Sequence, residues 1–134
     1  MSATGARAAG GALSRRSVLL GAAGTGVAGA LTAGLAGCAA AKPDPVPSDT
    51  GVEPAVTVQA IDNRYEPAEV EIAEGQAVRW VFAGTNKHDV VAEDGSFVSE
   101  LIAEGEYVHV FETAGEFPYD CSIHPEMTGR VVVR

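Results

Sequence analysis

One short stretch, Tyr119-Asp120-Cys121-Ser122-Ile123-His124-Pro125-Glu126-Met127-Thr128-Gly129, gathers one of two cysteines, one of three histidines and one of two methionines in the chain. Thiolate, imidazole and thioether are soft and borderline donors of the kind copper prefers. A trigonal set of two imidazoles and a thiolate, with a long axial thioether, is the donor set of a blue-copper centre. Taken singly, a buried cysteine is most simply a small core residue and a lone methionine is packing. Spaced as Cys121, His124 and Met127, they make a compact grip on a single ion. The second imidazole must come from elsewhere. His88 follows the turn Gly84-Thr85-Asn86-Lys87 and opens a strand, where a rigid framework can hold it beside a neighbouring loop. His109 lies between Val108 and Val110 in mid-strand and reads as structural. Zinc could occupy two imidazoles and a thiolate, but Met127 would then have no role.

The elements that position these donors read as β throughout. Val56, Val58 and Ala60 alternate with more polar neighbours, and Glu69–Ala73 alternates acids with Val70 and Ile72. Ala77–Ala83 sets Val78, Trp80 and Phe82 on one face. His88–Ala92, Glu106–Glu112, Glu116–Cys121 and Arg130–Val133 complete the set, joined by Gly, Pro, Asn and Asp turns. In the strand before the metal-binding loop, Phe117, Tyr119 and Cys121 share a face, so the thiol points inward with the aromatics. His124 and Met127 then fall on the loop leaving that strand. Pro118 within it implies a bulge or an edge position. No amphipathic helix is evident, and the pattern predicts an all-β sandwich of about seven or eight strands.

Upstream of this domain the chain changes character. Ser14-Arg15-Arg16-Ser17-Val18-Leu19-Leu20 has the order of a twin-arginine export signal. Ser17–Ala41 carries no charge, and its nine Ala and six Gly leave it only weakly apolar. It is long enough for a transmembrane helix, but Leu35-Ala36-Gly37-Cys38 closes it in the manner of a bacterial lipobox. Residues 1–37 therefore read as a signal peptide and Cys38 as the lipidated residue. Residues 38–54, rich in proline, read as a tether of about 3 Å per residue where extended. Residues 55–134 form the folded domain.

Charge is divided in the same way. Arg7, Arg15 and Arg16 stand in residues 1–37, and all 18 acids lie beyond them against six basic residues, a net of −12. So acidic a body repels nucleic acid and anionic membranes and favours basic protein partners. Cys38 and Cys121 sit in such different contexts that they are assigned separate chemistry instead of a disulfide.

Nearly all of 55–134 resembles a cupredoxin of the plastocyanin and amicyanin type. The likeness runs in order through Tyr65-Glu66-Pro67, Glu74-Gly75, Val78-Arg79-Trp80, His88–Val91, Thr113-Ala114-Gly115-Glu116-Phe117, Cys121 and Gly129-Arg130-Val131-Val132-Val133. The Cys-x-x-His-x-x-Met spacing is closer to the short loop of amicyanin. This resemblance implies a Greek-key sandwich with one copper ion, His88, Cys121 and His124 as strong ligands and Met127 as the weak axial one. Two positions depart from the pattern. Asp89 replaces the Asn that usually follows the first histidine and ties the ligand loops together. A carboxylate there can accept but not donate hydrogen bonds, and its charge favours Cu(II) and a lower potential. Glu126 stands where relatives often expose an apolar residue.

The function that follows is one-electron transfer between redox proteins outside the cytoplasmic membrane, by a monomeric carrier anchored through Cys38. Copper delivery or storage with the same ligands is the alternative. A chaperone would carry further Met or His for handover, and Met127 is the only methionine besides Met1. An enzyme is not expected, because three histidines cannot supply both this centre and a trinuclear copper cluster.

Overall fold

The computed structural model describes residues 41–134. The export signal and Cys38 lie outside the described residues. Eight strands make up the domain: β1 (Val56–Ile61), β2 (Arg64–Glu66), β3 (Glu69–Ile72), β4 (Gln76–Phe82), β5 (Val91–Ala92), β6 (Gly105–Phe111), β7 (Gly115–Cys121) and β8 (His124–Val133). They form two four-stranded sheets, ordered β2-β1-β4-β6 and β3-β8-β7-β5. The β1–β4 and β3–β8 pairs are parallel, whereas β4–β6 and β7–β8 are antiparallel. This is the all-β sandwich expected from the alternation.

Between the sheets lies a core of side chains delivered by that same alternation. Val58, Val78, Trp80, Phe82, Phe97, Phe111, Tyr119 and Val131 are all fully buried or nearly so. Trp80 is the hub, with ring centroids 5.4 Å from Phe97, 6.0 Å from Tyr107 and 5.5 Å from Tyr119. Tyr119 in turn lies over Gly129 on the adjacent strand, where any Cβ would collide with its ring. Gly129 is therefore required for close approach and not for its backbone angles.

Several elements differ from the sequence reading. Arg64–Glu66 is a strand of its own, paired with β1 across a two-residue turn. Its residues Asp62 and Asn63 both take positive φ, 51° and 57°, as a tight hairpin with right-handed twist requires. Tyr65 is thereby buried. The stretch His88–Ala92 is strand only at Val91–Ala92, and His88 joins Ile102 in an isolated bridge. Pro118 sits in an inner strand, not at an edge. Its missing donor is tolerated because its carbonyl side faces Glu93 N, just past the end of the short β5.

The largest correction concerns residues 42–54, expected as a free tether. From Lys42 to Asp49 the chain is strapped to the sandwich. Val46 N donates to Val98 O (2.8 Å), Asp49 N to Val108 O (2.9 Å), and Val108 N and Val110 N donate to Ser48 Oγ and Asp49 Oδ2 (both 2.9 Å). The prolines leave few donors in the segment, and two of the remaining N–H groups, those of Val46 and Asp49, are spent on these contacts.

Candidate metal centre

Cys121 ends β7 and His124 begins β8, so that the two are register partners across the turn Ser122-Ile123. The next pair along is Asp120 with Thr128. Pro125, Glu126 and Met127 are thus extra residues inserted in β8 with no counterpart on β7. His124 and Met127 therefore belong to a hairpin and its bulge, rather than to a free loop. Such a bulge re-aims side chains without dissolving the sheet, and it turns Met127 into the same buried cluster as Cys121. His88 arrives from the other side. Its backbone is fixed at both N–H and C=O by Ile102, at 2.9 and 3.0 Å.

These elements bring three donors together. Nδ1 of His124 lies 3.6 Å from Cys121 Sγ, and Nδ1 of His88 lies 4.0 Å from it. The ligand atoms of all three residues lie within 4.8 Å of one another. Sulfur and nitrogen ligands of a first-row ion stand about 2.0–2.3 Å from it. Placed at trigonal angles they would be roughly 3.7 Å apart, so the donors present fit one ion. Met127, Cys121 and His88 are buried to within 2% of completely, while His124 is only partly buried.

Comparison with known proteins agrees with this geometry. A model of the cupredoxin-like domain matches residues 27–133. The chain belongs to the cupredoxin family. An amicyanin of Paracoccus versutus is 33% identical over 94 residues, 66% of this chain and 67% of that protein. One from Paracoccus denitrificans is 29% identical over 90 residues, covering 59% of this chain and 65% of its own length. The solved structure of an amicyanin variant in its Cu(I) form superposes with a TM-score of 0.57 at 28% identity, covering 67% of this chain and 91% of the other.

In this cupredoxin the electrostatics suit metal binding. Burial, reinforced by His124, holds the His88 imidazole below its ordinary pKa despite Asp89 and Asp62. It is thus neutral, the form that coordinates metal. Burial pushes the Cys121 thiol upward, and backbone N–H groups of Asp89, Ile123 and His124 partly offset that. Those donors aim at a sulfur that must become a thiolate on binding a metal.

Asp89 takes the place of the family's Asn without losing the link between ligand segments. Fully buried, it accepts from Ser122 N (2.8 Å) at Oδ1 and from Ser122 Oγ (2.6 Å) at Oδ2. Burial alone would raise its pKa, but hydrogen bonds from Lys42 and Ser122 prevail and hold the carboxyl below its usual range. Its carbonyl accepts from Tyr65 Oη. Lys42 and Ser122 were not singled out from sequence. The one signal in the sequence was Asp89 beside a candidate ligand: a carboxylate buried there needs donors and a counter-charge, but the sequence does not say which residues supply them.

His109 is no part of the centre. Its ring packs against Phe97 and Phe111, at 5.2 and 4.9 Å, with Nδ1 3.5 Å from Asp49 Oδ2.

Proposed function

We propose that this cupredoxin is a one-electron carrier with a single copper ion held by His88 Nδ1, Cys121 Sγ and His124 Nδ1, and by Met127 as weak axial ligand. Bound there, copper supplies a one-electron couple between Cu(I) and Cu(II). The chain's own contribution is to fix donors that serve both oxidation states. His88 is pinned through Ile102, and Cys121 and His124 are pinned as partners in one hairpin. The observation that carries the reading is the asymmetric burial of these donors. Cys121 and His88 are sealed from water, and His124 alone of the three reaches the surface. It does so between Ile123, 49% exposed, and Pro125. A redox partner would meet the imidazole edge of His124 there, and the acidic body favours partners with basic surfaces.

The sealed ligands also oppose the rival reading, copper delivery, because handover needs an accessible thiolate. An absorption and EPR spectrum after copper addition tests the central claim. An intense visible band with narrow copper hyperfine splitting is expected, and a colourless copper complex would overturn the assignment. A fast electron self-exchange rate then separates carrier from chaperone.

We further propose that the protein is exported by residues 1–37 and held at the outer face of the cytoplasmic membrane through lipidated Cys38, as a monomer and without enzymatic activity. Mass spectrometry of the membrane-extracted protein should find diacylglycerol on Cys38. An unprocessed N-terminus would refute the anchor.

A further inference from the structure

Lys42 heads the strap, 47 residues before its partner. Its Nζ lies 2.6 Å from Asp89 Oδ2 and 2.8 Å from Ser99 O, and its side chain is only 25% exposed. Ser99 in turn accepts at Oγ from Val90 N (2.9 Å), so the lysine closes a ring around the residues following His88. Asp89 adjoins one ligand in sequence, and through both its oxygens it holds Ser122, which adjoins another. A bare carboxylate in that position would place a second anion beside the Cys121 thiolate, away from water. Leaving a buried charge without its partner is strongly unfavourable. With Lys42 seated, the pair is neutral overall, as an Asn would be, yet it offers the full acceptor capacity of a carboxylate.

We propose that Lys42 is a positioning residue of the metal centre. In this arrangement the N-terminal strap supplies the counter-charge for Asp89, and so braces the Cys121–His124 turn and offsets the carboxylate's pull on the copper potential. The inference rests on the ligand assignment above only for the potential. Its structural half concerns the metal-free chain alone.

The test uses the full chain with Lys42→Met, Lys42→Arg and, as a charge control, Lys87→Met, which removes an exposed lysine next to His88. In the metal-free protein, hydrogen exchange at the Ser122 amide should quicken at least tenfold in Lys42→Met. Lys42→Arg should restore most of the protection, and Lys87→Met should leave it unchanged. In the copper-loaded protein, Lys42→Met should lower the potential further than Lys87→Met, because the uncompensated carboxylate favours Cu(II). A tenfold shift in the Cu(II) over Cu(I) preference reads as about 59 mV. Both effects should vanish when Lys42→Met is made in an Asp89→Asn background. Unchanged Ser122 exchange, or an equal effect of Lys42→Met with Asn at position 89, would overturn the proposal. A potential moved no more than by Lys87→Met would overturn its electrostatic half. Should wild-type protein give no blue spectrum, the ligand assignment fails while Ser122 exchange still decides whether Lys42 braces the turn.

Discussion

His88 and His109 are both largely buried in the same sandwich, and burial is the main force lowering the pKa of each. They nonetheless belong to opposite kinds of site. The His88 ring faces a thiol at 4.0 Å and a second imidazole at 5.0 Å between ring centroids, a converging set of donors with space for an ion. The His109 ring is flanked by Phe97 and Phe111 and touches one carboxylate, Asp49, at a distance too long for a good hydrogen bond. Burial makes an imidazole neutral. Only the neighbours decide whether its lone pair is a ligand or a packing surface.

The contrast can be broken most completely at Cys121. Cys121→Ser should abolish the visible thiolate band and the narrow hyperfine splitting, whereas His109→Phe should leave both intact. Loss of colour in the His109 variant would show that the two environments are coupled. A second test addresses the scaffold that keeps them apart. Gly129→Ala drives a methyl into Tyr119 at the base of the ligand hairpin, and overpacking of this kind costs about 1–3 kcal/mol. Chemical denaturation should show that loss. Unchanged stability would mean that the Tyr119 ring has room to move.

Sharper still is Met127→Leu. The colour should persist and the potential should rise, because losing a weak donor destabilises Cu(II) more than Cu(I). Voltammetry giving an unchanged potential would remove Met127 from the ligand set. The smallest effect belongs to His109. Since its folded pKa lies below the ordinary value of about 6.5, the unfolded chain takes up the proton first. Its contribution to stability is complete above that value and declines as pH falls toward the folded pKa. The difference in unfolding free energy between wild type and His109→Phe should therefore change as pH drops below about 6.5. A pH-independent difference would mean that His109 takes up its proton as readily in the fold as in the unfolded chain, and a difference of the opposite sign that the fold holds it charged.

Much of this was legible in the residues. Alternation at Val56–Ala60, Glu69–Ala73 and Ala77–Ala83 marked strands and their inner faces, because a pleated strand that is half buried must repeat every second residue. The donor types and spacing at Cys121, His124 and Met127 pointed to one ion before any fold was known. What stayed hidden depended on pairing across distance. The bulge at Pro125–Met127 is a matter of register with β7; Pro125 is compatible with a bulge but does not say how many residues it inserts or against which partner. Proline content made 42–54 look unattached, since nothing local reveals that Ser48 and Asp49 meet β6 some 60 residues later. The Lys42–Asp89 pair was hidden for the same reason.

The docked strap also sets how far the domain could range. An untethered stretch from residue 38 through residue 54 would have given a leash of about 50 Å, at roughly 3 Å per residue. With Lys42 held at Asp89, only Ala39, Ala40 and Ala41 lie between Cys38 and the sandwich. At about 3.3–3.6 Å per residue those four steps reach no more than about 14 Å. Were Cys38 in the bilayer, the domain would be moored at its copper-bearing end and searching in two dimensions. Electron exchange would then be set by which partners share the membrane plane and how densely they are packed there, more than by diffusion through the space above it.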